Sequence, residues 1–257
     1  MLAGALESVR SMNHNGLEII VVDDGSVDGS AEMVAGRFPE VKLIRLSGVG
    51  PGLARDVGVG ASRAEVVMFL DSDDLWLPGH VSELLGVLAR GYEVAYGTVQ
   101  TVDEVSGGAF LIPEGGKGAR GDCFAEILQW CFLIPSALAL TRKAYEQSGG
   151  FGERTPGEDW VFFLKLADHY DFGFAGPVPI SLRRLHHRSL SASGDVAVYA
   201  ATVRVLRETY LTCTRSVPGT IQRLSDLEKW ILDKGAQWTT VQQWYSAMKL
   251  EGLIKGE

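Results

Sequence analysis

The sequence predicts an α/β chain: a doubly wound, mostly parallel sheet with helices on both faces, followed by C-terminal helices. Three observations predict it. Apolar runs of strand length, at residues 18–22 and 65–70, each lead directly into carboxylates, Asp23-Asp24 and Asp71-Ser72-Asp73-Asp74. Helix-patterned stretches alternate with the strands, giving the order βαβαβα. The connections are short and rich in glycine and proline, as at residues 47–52.

Taken in order, residues 2–10 read as the end of an amphipathic helix, with Leu2, Leu6 and Val9 on one face. The first acidic strand follows. A helix is expected from about 28 to 37 with Ser26 or Asp28 as its cap, then a strand at 41–46. The Gly/Pro loop leads into a helix ending near 63, and the strand at 65–70 carries the second acidic cluster. Pro78 opens a helix to about 89, and 94–102 is strand-like. The Gly-rich stretch 107–121 predicts a mobile loop of the kind that covers a ligand. Beyond it lie a helix, a strand at 136–141, a short helix, the turn Ser148-Gly149-Gly150-Phe151 and a helix opened by Glu158-Asp159. From Asp195 the pattern is helical, broken at Pro218-Gly219 and near Gly235, so the chain divides into a domain at 1–193 and a helical extension at 194–257.

At 257 residues the chain is long enough for one large α/β domain, and 46% hydrophobic with 22% charged residues is an ordinary globular composition. A net charge of -8 argues against nucleic acid as a partner, which would need a basic face. An acidic protein that handles a phosphorylated ligand needs a cation as bridge. Cys123, Cys131 and Cys213 are odd in number and show no metal spacing, so free thiols and a reducing, cytoplasmic compartment are expected. The first residues lack signal-peptide character, and no apolar run approaches the roughly 20 residues of a membrane span. The expected location is cytoplasmic, at most peripheral to the inner face of a membrane.

The two acidic clusters carry the chemistry. Carboxylates where buried strands leave an open α/β sheet stand at its usual ligand crevice. Asp24, Ser26 and Asp28 also suit a turn and helix cap, a reading that leaves Asp23 unexplained. Three carboxylates within 71–74 at a buried strand end repel one another unless something binds there. Asp71 and Asp73 share one side of an extended segment, and Mg2+ or Mn2+ on carboxylates plus phosphate oxygens is the matching chemistry. Glu158-Asp159 reads either as acids complementing a helix N-terminus or as a carboxylate base on a rigid helix start. Residues 183–191 gather Arg183, Arg184, His186, His187 and Arg188, either a solvated basic patch or a metal- and phosphate-binding segment.

In sequence order these pieces resemble the family 2 glycosyltransferases with the GT-A fold, over roughly residues 2–193. The matching motifs are 17–26 with Asp23-Asp24-Gly25-Ser26, Ala54-Arg55-Asp56, Asp71-Ser72-Asp73, Gly149-Gly150-Phe151 with Gly157-Glu158-Asp159-Trp160, and Arg184-Leu185-His186 with Ser189 and Ser191. The resemblance implies an inverting transfer from a nucleotide-diphosphate sugar to a carbohydrate or lipid-linked acceptor, in polysaccharide or glycoconjugate synthesis. It implies that Asp23 and Asp24 lie in the nucleotide loop, with Asp24 accepting from the base, and that Arg55 helps bind the nucleotide half. Asp71 would contact the ribose or the metal, Asp73 would hold the metal on the diphosphate, and His186 would reach the metal or diphosphate. Asp159 would be the base, supported by Glu158. Asp56 stands where the family has Asn. The family's first strand is absent before Leu2, which predicts a fragment or a misassigned start, with unpaired backbone on both neighbouring strands.

Two other readings compete. A haloacid dehalogenase-type phosphatase also places Asp-x-Asp after an apolar strand, and a catalytically impaired GT-A-like domain would serve as a binding module. The C-terminal aromatics Trp230, Trp238, Trp244 and Tyr245 suit packing onto the main domain, with a homodimer contact or a peripheral membrane contact as alternatives.

Overall fold

The structure, a computed structural model, describes residues 1–104, 107–153, 157–187, 189, 195–234 and 247–250. Helix α1 (Leu2–Arg10) buries Ala5, Leu6 and Val9, the face its apolar spacing predicts. Strand β1 (Ile20–Asp23) pairs in parallel with β2 (Lys42–Arg45) across helix α2 (Ser30–Arg37). Asp28 works at the start of α2, accepting from the Ser30 N–H at 3.1 Å, while Gly29 takes the cap position. Leu6, Val34 and Phe38 close a small core under this pair. Helix α3 (Pro51–Ala61) then returns the chain, with proline in its first turn.

The second sheet is larger. Its strands β3 (Val66–Met68), β4 (Leu75–Trp76), β5 (Val94–Asp103), β7 (Leu138–Thr141) and β8 (Phe172–Leu185) lie in the order β3-β7-β5-β8-β4, and β6 (Gly108–Ile112) pairs with β5. The ladders β3–β7, β5–β7, β4–β8 and β5–β6 are antiparallel and only β5–β8 is parallel. The α/β class holds, but the sheet is mixed rather than mostly parallel. Only β5 and β6 are consecutive; the other antiparallel ladders join strands far apart in sequence, β3 with β7, β5 with β7 and β4 with β8, with helices between them. No ladder joins β1 to β3 among the described residues, so the two acidic strand ends belong to different sheets.

Helices α4 (His80–Leu88), α5 (Phe124–Ile127), α6 (Arg142–Ser148) and α7 (Glu158–His169) cover the second sheet, followed by α8 (Val196–Tyr210) and α9 (Thr220–Lys234). Helix α7 is apolar on nearly every side because it is enclosed: Phe162, Phe163, Leu164 and Leu166 are fully buried, each worth about 1.5–3 kcal/mol. The same cluster takes in Leu206 of α8 and Leu224, Trp230 and Ile231 of α9, so both C-terminal helices share the core of the main domain. Trp238, Trp244, Tyr245, Arg188 and Ser191 lie outside the described residues.

Two expectations are corrected. The stretch 107–121 is not a free loop: β6 pairs residue by residue with the outer half of β5, from Val99 opposite Ile112 to Asp103 opposite Gly108. Its Ala109-Phe110-Leu111-Ile112 run gives that half of β5 an apolar partner, which the flanking glycines obscure. Strand β8 falls in a segment where no strand is expected, since Gly173, Gly176, Pro177 and Pro179 read as breakers. It accommodates them with register shifts opposite 96–99. All three cysteines are free thiols, as expected, and burial pushes the Cys123 thiol up to about 12.

Candidate active site

The first acidic strand end is occupied by backbone. Asp23 is buried; its Oδ1 accepts from the Ser26 N–H at 2.9 Å, and Arg45 Nε lies 3.6 Å from its Oδ2. Asp24 reaches across to the Gly/Pro loop ahead of α3. Its Oδ1 accepts from the Gly48 and Val49 N–H groups at 2.8 and 2.7 Å, and its Oδ2 from Gly50 at 2.7 Å. Three successive amides on one carboxylate fix the loop and the start of α3.

The second strand end faces side chains. From α3, Arg55 sends Nη2 to Asp71 Oδ1 at 2.7 Å and Nη1 to Glu158 Oε1 at 3.1 Å. The Arg55 side chain is only 16% exposed. Burial opposes its charge, but Asp71, Asp159 and Glu158 together outweigh that and raise its pKa above the ordinary arginine value. Burial raises the pKa of Glu158, Asp159 adds to the rise, and Arg55 holds it back. The Asp159 Oδ1 accepts from the Trp160 N–H at 2.8 Å, at the first turn of α7. Asp73 Oδ2 lies 3.1 Å from His186 Nε2, just past the end of β8.

Asp74, quoted in the acidic cluster but given no role by the sequence, lies beneath the others and is buried. Ser136 donates to its Oδ2 at 2.6 Å, and the Arg184 N–H donates to its Oδ1 at 3.2 Å. Burial raises its pKa to about 6; Ser136 opposes this and the neighbouring Asp71 and Asp73 reinforce it. Ser136 also accepts from the Asp71 N–H at 3.1 Å, and Ser181 Oγ bridges the Ser136 carbonyl and His80 Nδ1 at 2.6 and 3.1 Å. This chain ties the acidic turn to β7, to β8 and to the first turn of α4. Buried Ser136, in a turn, and Ser181, in β8, carry no sequence signal, because a lone serine is common in either setting.

Of the residues singled out from the sequence, Arg55, Asp71, Glu158 and Asp159 come together, as do Asp73 and His186. Asp23 and Asp24 accept from loop amides at the neighbouring strand end. Among the described residues no three His, Cys, Asp or Glu side chains converge on a metal position. One or two carboxylates still fit a cation that completes its shell with phosphate oxygens and water, which is how Mg2+ is usually held; the His186 imidazole beside Asp73 is the less typical donor for such an ion.

Solved structures share this fold. TarS 1–349 of S. aureus superposes with a TM-score of 0.68 at 16% identity, covering 89% of this chain and 67% of that one. The mannosyltransferase PcManGT of Pyrobaculum calidifontis, in complex with GDP-Man and Mn2+, gives 0.62 at 18% identity, covering 92% and 69%. The fold they share with this chain is of the GT-A type. The chain belongs to the family described as glycosyl transferase family 2, whose model matches residues 1–148. An uncharacterized glycosyltransferase of Nostoc sp. is 32% identical over 157 residues, 57% of this chain and 48% of its own length. The succinoglycan biosynthesis protein ExoO of Rhizobium meliloti is 37% identical over 105 residues, 40% of this chain and 29% of its own. The chain thus spans less than half the length of these relatives. Membership of this family overturns the phosphatase alternative.

Proposed function

We propose that this chain transfers a sugar, with inversion, from a nucleotide-diphosphate sugar to a hydroxyl of a carbohydrate or lipid-linked acceptor. One observation carries the reading: Arg55 joins the second acidic cluster to the start of α7, so the groups suited to donor and acceptor meet at one guanidinium. Asp159 takes the acceptor proton as the acceptor oxygen attacks the anomeric carbon, and the bond to the nucleoside diphosphate breaks on the opposite face. Arg55 holds Asp71 and Glu158, and its charge attracts Asp159. Asp73 and His186 are the residues that would hold Mg2+ or Mn2+, which when bound neutralises charge on the departing diphosphate. The complexes of TarS with UDP-GlcNAc and of PcManGT with GDP-Man and Mn2+ support a donor of this chemical class.

A panel of UDP- and GDP-sugars with Mn2+ or Mg2+ tests the reading, with acceptor-dependent release of nucleoside diphosphate as the signal. Asp159→Asn is expected to keep donor binding and lose about 10²–10⁴-fold in turnover, the usual worth of a general base. Near-normal transfer by that variant would sink the assignment. That no ladder joins β1 to β3 among the described residues favours the second reading, a binding module. Mn2+-dependent nucleotide binding without turnover of any donor would support it.

A further inference from the structure

Helix α3 sends two consecutive side chains to two different tasks. Arg55 faces Asp71 and Glu158. Asp56, one residue on, faces the turn between α6 and α7. Its Oδ1 accepts from the Tyr145 hydroxyl in a short bond and from the Phe151 N–H at 2.9 Å, and its Oδ2 accepts from the Gly152 N–H at 2.8 Å. Both oxygens of one carboxylate are therefore spent on holding this backbone.

The turn is shaped for that approach. A Cβ at Gly150, which has φ +68°, would stand 2.8 Å from Asp56 Oδ1 and 2.9 Å from the Tyr145 hydroxyl. A Cβ at Gly52, one turn earlier on α3, would stand 2.9 Å from the Gly152 carbonyl oxygen. The backbone of 150–152 thus lies directly on the helix. Between those glycines, the Phe151 ring stacks on Phe162 of α7 with centroids 4.1 Å apart and meets Phe69 edge-on at 5.2 Å, just past the end of β3. The Arg55 guanidinium lies 5.0 Å from the same ring.

We propose that Asp56 is a positioning residue: by fixing the 150–152 backbone it sets where α7 starts, and so where Glu158 and Asp159 stand relative to Asp71 and Asp73. An amide, which the family has at this position, matches the three donors of this chain's turn less well. Asn offers one acceptor oxygen and an NH2 group, and that NH2 would oppose either the Gly152 N–H or the Phe151 N–H and Tyr145 hydroxyl. The turn geometry stands by itself, whereas the consequence for turnover rests on the proposed function.

The test compares the full chain with Asp56→Asn and the milder Tyr145→Phe, which keeps both N–H bonds. Amide hydrogen exchange is read first. In Asp56→Asn, amides of 149–153 and 157–160 should exchange at least about tenfold faster, while those of 66–76 stay unchanged; Tyr145→Phe should give a smaller effect in the same segments. Affinity for UDP and for GDP with Mn2+ should stay within about twofold of the parent. With a donor that the parent turns over, kcat should fall about tenfold or more with the donor KM held. Exchange that rises no more in 149–160 than elsewhere overturns the proposal, as does a parallel loss of nucleotide affinity and turnover. A parent that turns over no donor counts against the proposed function, and the exchange result then still decides the role of Asp56.

Discussion

The two acidic strand ends look alike in the sequence and differ in what their carboxylates face. At β1, Asp23 and Asp24 are satisfied chiefly by backbone: one N–H from Ser26 and three from Gly48, Val49 and Gly50. Beyond β3, Asp71 and Asp73 face Arg55 and His186, while Asp74 is sealed beneath them. A carboxylate tied to three successive amides is part of a loop and releases it only by unfolding that loop. One paired with a cationic side chain can exchange that partner for a cation or ligand. The carboxylates of the first end hold backbone, and those of the second face cationic side chains.

Exchanging the roles of the two ends experimentally should separate them. Asp73→Ala is expected to lower Mn2+-dependent turnover by at least about 100-fold, above the 10–100-fold typical of residues that merely support a metal ligand. Thermal denaturation should show its stability nearly unchanged. A turnover loss below tenfold, or one matched by lost stability, would place Asp73 with the scaffold.

The polar chain beneath the second end should register in pH dependence. Burial lowers the His80 pKa to about 4, against 6.5 for a free imidazole, partly offset by the Ile180 carbonyl. Between those values the unfolded chain binds more protons, so stability falls as the pH drops from 6.5 to 4 and is level below. Relative to His80→Gln, the parent should lose roughly 3 kcal/mol across that window, read by urea denaturation. Asp74, raised to about 6, acts in the opposite sense and gains stability on protonation, so the parent alone should show a flatter curve than the difference does. A flat difference would show that His80 protonates freely in the fold.

The smallest expected effect belongs to Asp24→Ala. Three amides lose their acceptor, two of them partly buried, at a cost of about 2 kcal/mol and a Tm lower by several degrees. Turnover should follow only through the loosened loop. A larger effect on nucleotide binding than on stability would return Asp24 to direct ligand contact.

The sequence makes legible the parts of this molecule whose signal is local. Helices α1, α3, α7, α8 and α9 sit where apolar spacing, Pro51 and Asp195 place them; Asp195 caps α8 by accepting from the Ala197 N–H at 2.8 Å. The carboxylates, Arg55 and His186 are visible as residue types at strand and helix ends. What is not visible is pairing across the sheet. Strand β8 hides its strand character behind two prolines, and β6 hides behind glycines; each is stabilised by β5, more than 60 residues away in the first case. The division of labour between Asp24 and Asp71 is equally non-local, since it depends on whether amides 48–50 or the Arg55 guanidinium arrive opposite the carboxylate.

The separation of the two sheets has a mechanical consequence. A parallel ladder of four residue pairs is marginal by itself, whereas β5 is paired along both sides within the main core. The β1–β2 unit should open to solvent at a lower free energy than β5 does, as a cooperative unit of its own. The smaller sheet is then expected to be the more compliant jaw and the larger one the stiffer, with α1, α3 and the loop that Asp24 holds between them. A donor spanning both jaws would spend part of its binding energy on closing them, and its grip would stiffen the weaker sheet.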